Sequence, residues 1–382
     1  MTDFLSRARP GVQHLAPYQP GKPIEELQRE FGLARVVKLA NNENPLGPSP
    51  AALAALKAAL QADPAELGRY PDGNGYVLKE AIRARFGWAH ERILLGNGSN
   101  DVLELVARAF LGEGDDAIYA QHAFAVYPLA VQATGARGIE VPARNHGHDL
   151  PAMAAAVTPA TKVIFLANPN NPTGTWFERA DFEAFMAAVP ANVVVVLDEA
   201  YCEFVDDAQA LSGFDVLDRY PNLIVSRTLA KAYGLASLRV GYAVAGADLI
   251  GILNRVRQPF NVNSLALAAA AAAVADDDFV ARSRALNAAG RRQWLDGLAA
   301  LGLRAIPSRG NFLCVDMGQP AGPLFQALLR EGVIVRPVAN YGLPDHLRIS
   351  IGLAEENDFA LAALARVLAA AGQGAAVAEG AS

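Results

Sequence analysis

Residues 193–201 read VVVVLDEAY. Four valines and a leucine in succession, with no alternation of apolar and polar residues, are typical of a parallel strand that helices cover on both faces. Asp198 and Glu199 follow directly at the carboxyl end of this predicted strand. A carboxylate beside buried residues is costly unless it is paired. We therefore expect either helix-capping and ion-pair roles for these two residues, or a carboxylate that stabilises a positive nitrogen on a ligand.

Strand-like and helical segments alternate on both sides of this stretch. The other strand-like segments are RILLGNGS, KVIFLANPNNPTG, NLIVSRT and VGYAVAG, and amphipathic segments such as DVLELVARAF lie between them. This alternation predicts an α/β domain with a mostly parallel sheet over residues 46–265. Residues 1–45, rich in Pro, Gly and Asn, are expected to form an extended arm. Residues 266–382 are expected to form a smaller α+β domain that ends in a frayed tail.

Composition excludes several classes of function. The 382 residues are 52% hydrophobic and 19% charged, as in ordinary globular proteins, and the formal net charge of −6 argues against nucleic-acid binding. The longest apolar run, which starts at Leu265, is too short to cross a membrane. Cys202 and Cys314 lie far apart and favour a reduced, cytoplasmic protein. His146 and His148 form a lone HGH that a solvated loop explains better than a metal, so we expect no metal site.

Four polar segments follow predicted strands, and ligands of parallel sheets bind at the carboxyl ends of the strands. These segments are GNGSND (96–101), NPNNPTG (168–174), DEAY (198–201) and LAKAYGLASLR (229–239). The glycines of the first segment can leave backbone N–H groups free at a helix N-terminus, where an anion binds. Taken alone, that segment is better explained as a plain tight turn with Ser99 or Asn100 as the N-cap, because short glycine loops are common. The co-location of all four is what predicts a ligand site.

Lys231 has no acidic residue at helical spacing to pair with it. A partly desolvated lysine has a lowered pKa and attacks carbonyl groups, whereas the ordinary alternative is a solvated surface lysine. Arg239, eight residues on, can bind a phosphate or carboxylate with its planar fork. An anion site, a carboxylate, an amine and an arginine together suit an aldehyde cofactor that bears a phosphate and a ring nitrogen.

These motifs resemble those of the fold type I pyridoxal-phosphate enzymes, the aspartate aminotransferase superfamily, and within it the histidinol-phosphate aminotransferase family. The matching stretches cover most of the chain in the family's order: YQPGKPIEEL, NENPLGPSP, RYPDGNGYVLKEAI, GNGSNDVLELV, HAFAVY, ANPNNPTG, DEAYCEF, RTLAKAYGLASLRVGY, QPFNVNSLA, NFLCVD and LRISIG. The resemblance implies pyridoxal 5'-phosphate as cofactor. It also implies conversion of L-histidinol phosphate and 2-oxoglutarate to imidazole-acetol phosphate and L-glutamate, in histidine biosynthesis.

The resemblance also implies roles for residues around the cofactor ring. Lys231 matches the family's Schiff-base lysine, so its missing partner is the aldehyde of the cofactor. Asp198 matches the aspartate that pairs with the pyridinium nitrogen and lets the ring accept electrons. Tyr201 and Asn171 match the residues that hydrogen-bond the phenolic oxygen of the ring. Phe124 matches the aromatic residue stacked on the ring.

The cofactor phosphate is implied to bind residues from three segments: Ser99 and Asn100, Thr228, and Arg239. Tyr70 resembles the tyrosine that reaches this phosphate from the neighbouring subunit, which implies a homodimer with shared active sites. Tyr127 lies one turn from Phe124 and is an alternative for stacking on the ring. Many relatives have a serine where this chain has Ala230, and loss of that hydroxyl is expected to weaken cofactor binding by about 1.5–3 kcal/mol unless water or another group replaces it.

Four residues are implied at the substrate end of the site. Arg348 matches the arginine that binds the carboxylate of the amino donor and also the substrate phosphate. Arg336 is expected to assist at that phosphate. Tyr18 and Asn44 are further candidates, although a tyrosine of an arm often packs on a partner and an asparagine before proline often makes a turn.

Other functions stay open on the sequence alone. An aromatic amino acid aminotransferase shares the ring-binding residues, and so does a decarboxylase resembling threonine-phosphate decarboxylase. An aminotransferase-like sensor domain of a transcription regulator fits poorly, because no DNA-binding module precedes the fold. A dehydrogenase is excluded, because GNGSND lacks the G-x-G-x-x-G spacing of a dinucleotide site.

Overall fold

The computed structural model describes residues 4–16, 21–62, 64–207 and 210–379. Its helices are α1 (Pro10–Gln13), α2 (Ile24–Phe31), α3 (Pro50–Ala62), α4 (Tyr76–Phe86), α5 (Ser99–Phe110), α6 (Val126–Thr134), α7 (Leu150–Ala155), α8 (Arg179–Ala188), α9 (Gly213–Val216), α10 (Ala247–Val256), α11 (Ser264–Val274), α12 (Asp277–Ala300), α13 (Ala321–Arg330) and α14 (Ala354–Glu379). Its strands are β1 (Val37–Lys38), β2 (Ile93–Gly96), β3 (Asp116–Ala120), β4 (Arg137–Val141), β5 (Thr161–Ala167), β6 (Val194–Asp198), β7 (Leu223–Thr228), β8 (Gly241–Ala245), β9 (Arg304–Ile306), β10 (Phe312–Asp316), β11 (Val333–Ile334), β12 (Arg336–Val338) and β13 (Leu343–Ser350).

A seven-stranded sheet forms the centre of the large domain, with the strand order β2-β8-β7-β6-β5-β3-β4. Only β8 runs against its neighbours, so β2, β5, β6 and β7 end at the same edge. Every residue of β6 is buried, as expected for a central strand that is covered on both faces. The predicted α/β fold with a mostly parallel sheet is therefore confirmed.

Helices on both faces of this sheet complete the large core. Helix α3 starts where the sequence predicts, and the hydroxyl of Ser49 accepts a hydrogen bond from the backbone N–H of Ala52 at 3.1 Å. The alanine-rich helix α11 packs against α3 and α4, with Ala266, Ala269 and Ala270 buried. Alanine lets neighbouring helices approach closely. This helix therefore belongs to the large core, although it lies beyond the predicted border at residue 265.

The smaller domain contains the antiparallel sheet β12-β13-β10-β9, packed against α12, α13 and α14. Its core includes Trp294, whose indole N–H donates to Asn357 Oδ1 at 2.8 Å. Val37 and Leu39 belong to the same core, and β1 pairs with β11. Part of the segment predicted as an arm thus contributes to the smaller domain. The segment predicted as a tail is helical as far as Glu379.

Candidate active site

A cavity of about 240 Å³ lies at the edge where β2, β5, β6 and β7 end. All four polar segments that the sequence singles out contribute to its wall. The predicted residues that line it are Ser99, Asn100, Phe124, Asn171, Asp198, Tyr201, Thr228, Lys231, Arg239 and Arg348. Residues separated by up to 249 positions along the chain therefore meet in one space, as expected for the ligand site of a parallel sheet.

Lys231 lies just after β7 at the wall of this cavity. Its Nζ donates a hydrogen bond to the backbone carbonyl of Asn41 at 2.9 Å and lies 5.9 Å from the centre of the Tyr201 ring. Burial lowers the pKa of the Lys231 amine to about 7, and the nearby positive charges of Arg348 and Arg239 act in the same direction. Much of this amine is therefore neutral near pH 7, which makes it both a nucleophile and a proton acceptor.

We expect chemical labelling to detect this lowered pKa. In apoprotein treated with acetic anhydride, acetylation of Lys231 should rise roughly tenfold per pH unit below about pH 7 and level off near pH 8, since only the neutral amine reacts. Peptide mass spectrometry measures this rate at each pH. A labelling rate that keeps rising to pH 10 would contradict the assignment, because it would indicate a lysine with an unshifted pKa.

Asp198 ends β6 and is 5% exposed. The hydroxyl of Tyr127 donates to its Oδ2 at 2.8 Å, whereas Oδ1 is buried and has no hydrogen-bond partner among the described residues. Burial raises the pKa of the carboxyl to about 6, against the opposing effect of the hydrogen bond from Tyr127. At neutral pH the carboxylate is mostly ionised. Its unpartnered oxygen fits the protonated ring nitrogen of pyridoxal phosphate.

Glu199 has a different role from its neighbour. Its Oε2 accepts hydrogen bonds from Nε and Nη2 of Arg227 at 2.9 and 2.8 Å, and its Oε1 accepts one from the backbone N–H of Gly213 at 2.6 Å. Both members of this ion pair are buried. The sequence leaves two roles open for these carboxylates, an ion pair and contact with a ligand. Glu199 forms a buried ion pair, and Asp198 faces the cavity.

The turn before α5 has the shape of an anion cup. Gly98 has a φ of 80°, and a side chain there would collide with the guanidinium group of Arg239. A side chain on Gly241 would collide with the backbone N–H of Ser99 at the start of α5. The two glycines thus keep a cationic side chain and a helix N-terminus close together, which suits a phosphate. Ala230 also lines the cavity and adds no hydroxyl to this cup.

Arg348 and Asn171 lie together on the wall formed by the smaller domain and the NPNNPTG segment. The guanidinium of Arg348 donates to Asn171 Oδ1 and to the backbone carbonyl of Ala40, and its Nε is buried without a partner among the described residues. The bond to Oδ1 leaves the N–H groups of Asn171 available to a ligand. Arg348 therefore provides a buried positive charge at the end of the cavity.

One predicted substrate residue, Asn44, does not line the cavity. The Nδ2 of Asn44 donates to the carbonyl of Ala232 and to Ser283 Oγ, both at 2.8 Å, so this side chain holds two elements together. Asn44 therefore has the structural role in a turn that the sequence analysis gives as the alternative to substrate binding. Tyr18 lies outside the described residues.

Two further predicted residues, Arg336 and Tyr70, do not line the cavity. Arg336 lines a neighbouring cavity of about 880 Å³, and Gly21 lines both spaces. Arg336 and Arg348 are directly paired across β12 and β13, and cross-strand partners point to the same face. Tyr70 is 82% exposed, and its ring stacks on Phe260 with the ring centres 4.7 Å apart.

Sequence reasoning missed the groups that hold the predicted residues in place. Tyr127 donates to Asp198, and Asn42 Nδ2 donates to the hydroxyl of Tyr201 at 2.9 Å. Both contacts join residues more than 70 positions apart. The only signal for the second contact was the NNEN run itself, which reads equally well as a turn.

The described residues contain no group of three or more His, Cys, Asp or Glu side chains arranged to hold a metal ion. Among the described helices, none has both the length and the apolar character that a membrane crossing requires.

The fold and the site define a class of enzyme. The profile of the family described as aminotransferase class I and II matches residues 34–364, and the chain belongs to this family. A parallel sheet whose carboxyl edge presents a partly buried lysine, an aspartate and an anion cup agrees with that assignment. The family that the motifs predict is thus confirmed.

Particular relatives narrow the comparison. The chain is 60% identical over 371 residues to histidinol-phosphate aminotransferase 2 of Pseudomonas aeruginosa. This alignment covers 97% of the present chain and 100% of the Pseudomonas protein. The chain resembles the crystal structure of histidinol-phosphate aminotransferase from Sinorhizobium meliloti in complex with pyridoxal-5'-phosphate, with a TM-score of 0.87, 30% identity, and coverage of 96% of this chain and 98% of that one. The aspartate aminotransferase from Thermus thermophilus with maleate, at 24% identity and a TM-score of 0.78 over 94% of this chain and 98% of that one, shares the fold.

Proposed function

We propose that the protein is a pyridoxal-phosphate-dependent aminotransferase of histidine biosynthesis. It transfers the amino group of L-histidinol phosphate to 2-oxoglutarate and yields imidazole-acetol phosphate and L-glutamate. The observation that carries this proposal is the convergence of Lys231, the unpartnered oxygen of Asp198 and the anion cup on one cavity. The similarity to histidinol-phosphate aminotransferases over almost the whole chain supports the choice of substrate.

The residues of the chain have distinct tasks in this reaction. Bound pyridoxal phosphate supplies an electron sink for the carbanion that forms when the donor loses its α-proton. Lys231 Nζ, whose pKa of about 7 leaves much of it neutral, accepts that proton and holds it for return. Asp198 Oδ1 keeps the ring nitrogen protonated. Tyr201 and Asn171 donate hydrogen bonds toward the phenolic oxygen, and the cup at Ser99 holds the phosphate.

Arg348 explains how one pocket serves two unlike molecules, because both substrates bring an anionic group to it. Histidinol phosphate brings a phosphate, and 2-oxoglutarate brings carboxylates. The bidentate guanidinium suits either group. Arg336, in register with Arg348 and in the adjoining cavity, is placed to add a second positive charge for the phosphate of the donor.

Substitution of the two arginines should separate these roles. We expect Arg348→Gln to lower kcat/KM by about 10- to 100-fold for both substrates, since a hydrogen-bonded charge contributes about 1.5–3 kcal/mol. Arg336→Gln should lower kcat/KM for histidinol phosphate and leave the value for 2-oxoglutarate nearly unchanged. Steady-state kinetics with each substrate varied in turn measures both ratios. An equal loss for both substrates in Arg336→Gln would contradict a phosphate-specific role.

The choice of donor is tested by comparing substrates on the unaltered enzyme. With 2-oxoglutarate as acceptor, we expect kcat/KM for L-histidinol phosphate to exceed the values for unphosphorylated histidinol and for phenylalanine. A higher kcat/KM for phenylalanine or tyrosine would indicate an aromatic amino acid aminotransferase. Release of carbon dioxide from threonine phosphate without any keto acid would indicate the decarboxylase instead.

We also infer a homodimer with shared active sites, because Tyr70 is highly exposed, does not line the cavity of its own subunit and stacks on Phe260. We also propose a cytoplasmic location, because Cys202 and Cys314 are both free thiols, as is usual in that reducing compartment.

Mixed dimers test the sharing of sites. Tyr70→Ala and Lys231→Ala should each have little activity, and co-expression of the two chains should restore about a quarter of wild-type activity, because half of randomly paired dimers contain one intact site of two. If Tyr70 served the site of its own subunit, each mixed dimer would have two damaged sites. No recovery in purified mixed dimers would therefore overturn the shared site.

A further inference from the structure

Asn42 connects the candidate active site to the smaller domain. It is 1% exposed and has a φ of 55°, a left-handed conformation that asparagine adopts more readily than most residues. On one side its Nδ2 lies 2.9 Å from the hydroxyl of Tyr201. On the other side it contacts Ser350, the last residue of β13, through two hydrogen bonds. Asn311 Nδ2 also donates to the carbonyl of Asn42 at 3.0 Å.

The directions of these hydrogen bonds follow from the chemistry of the groups. The backbone N–H of Asn42 can only donate, so Ser350 Oγ accepts from it at 2.8 Å. The hydroxyl proton of Ser350 is then free to go to Asn42 Oδ1, 3.1 Å away. Since Oδ1 accepts there, the amide presents Nδ2, a pure donor, to Tyr201.

The hydroxyl of Tyr201 must consequently accept from Asn42 and direct its own proton elsewhere. With the amide of Asn42 rotated by half a turn, Oδ1 would face Tyr201 and would take its proton away from the cavity. Ser350 would then lose its acceptor. The serine therefore selects the orientation in which the tyrosine proton points to the ligand space.

We propose that Asn42, held by Ser350, is a positioning residue that directs the hydroxyl proton of Tyr201 toward the phenolic oxygen of the cofactor; this inference rests on the proposed function. The donated hydrogen bond also makes Tyr201 a better donor, against the burial that raises the pKa of its hydroxyl to about 12. Because β13 carries both Ser350 and Arg348, the same strand positions the anion-binding arginine and the tyrosine proton.

The test uses the absorbance of the holoenzyme as a function of pH. This absorbance reports protonation of the nitrogen that joins Lys231 to the cofactor. When this nitrogen loses its proton, the phenolic oxygen of the cofactor keeps a negative charge that a hydrogen-bond donor stabilises. A weaker donor at this oxygen therefore raises the pH midpoint of the absorbance change. We expect Asn42→Gly, which tolerates the positive φ, to raise the midpoint by about half to one pH unit.

Three further variants make the result specific. Ser350→Ala should raise the midpoint in the same direction, because it frees the amide to rotate. Ser283→Ala removes another buried serine hydroxyl, one that contacts Asn44 rather than this chain of bonds, and should leave the midpoint unchanged. In a Tyr201→Phe background, Asn42→Gly should cause no additional shift, because the group through which it acts is gone.

The outcomes separate this inference from the proposed function. No shift in Asn42→Gly, or an equal shift with and without Tyr201, would overturn the positioning role. Absence of any cofactor absorbance in the wild-type protein would instead overturn the proposed function. Thermal unfolding of each variant verifies that it folds, and if Asn42→Gly does not, the comparison of Ser350→Ala with and without Tyr201 gives the same decision.

Discussion

Replacement of Lys231 by alanine is expected to lower kcat by about 10⁴-fold or more, the largest effect of any single substitution in this protein. In the proposed mechanism, this change removes both the amine that attaches the cofactor and the base that moves the proton. The structure offers no substitute, because the other cations of the cavity, Arg239 and Arg348, keep their protons. Single-turnover kinetics with saturating pyridoxal phosphate measures the loss.

A second lysine provides the matched control. Lys162 is exposed in β5, whose last residue, Ala167, lines the cavity. Lys162→Ala should retain wild-type activity, since it alters the same strand at a distance from the site. Activity of Lys231→Ala within tenfold of the wild type, in protein that binds the cofactor, would show that another group performs the proton transfer.

Replacement of Asp198 by asparagine is expected to lower kcat by about 10²- to 10³-fold, the cost of removing one preorganised electrostatic contact. Asparagine keeps the shape and can still accept from Tyr127, but it has no charge to keep the ring nitrogen protonated. The electron sink is then weaker at every pH. Rates of the isolated half-reaction measure this loss apart from cofactor binding.

Substitution of the adjacent carboxylate, Glu199, is the comparison for Asp198→Asn. Glu199→Gln breaks the buried pair with Arg227 and should destabilise the fold by about 3 kcal/mol, because it leaves a buried charge without its partner. The fraction of Glu199→Gln protein that folds should have a kcat close to that of the wild type. If Glu199→Gln lowered kcat more than Asp198→Asn at equal cofactor occupancy, the roles assigned to the two carboxylates would be reversed.

Local patterns in the sequence predict the large domain well. The VVVVL run predicts a central strand because a strand covered on both faces has no polar positions, and β6 is buried throughout. The lack of a partner for Lys231 leaves a functional amine and a solvated lysine open, the four polar segments together favour the amine, and the chain places Lys231 in the cavity. These features depend on the period of apolar residues and on neighbours in sequence, which a single chain displays.

Contacts between distant segments were beyond such patterns. The pairing of Val37 with β11 places part of the predicted arm in the smaller core, and nothing near residue 37 indicates its partner. The sequence predicts a solvated loop for the HGH motif. That expectation is wrong for His148, whose Nε2 accepts a hydrogen bond from the backbone N–H of Ala167 at 3.2 Å and whose pKa burial lowers to about 4.

The central claim is that Lys231 holds pyridoxal phosphate in a site that takes the amino group of L-histidinol phosphate. The most direct measurement is the half-reaction of purified holoenzyme with this donor alone, followed by absorbance. We predict loss of the band of the lysine-bound cofactor and its return when 2-oxoglutarate is added. A band that histidinol phosphate leaves unchanged but phenylalanine bleaches would contradict the substrate, and a protein that forms no such band with pyridoxal phosphate would contradict the account as a whole.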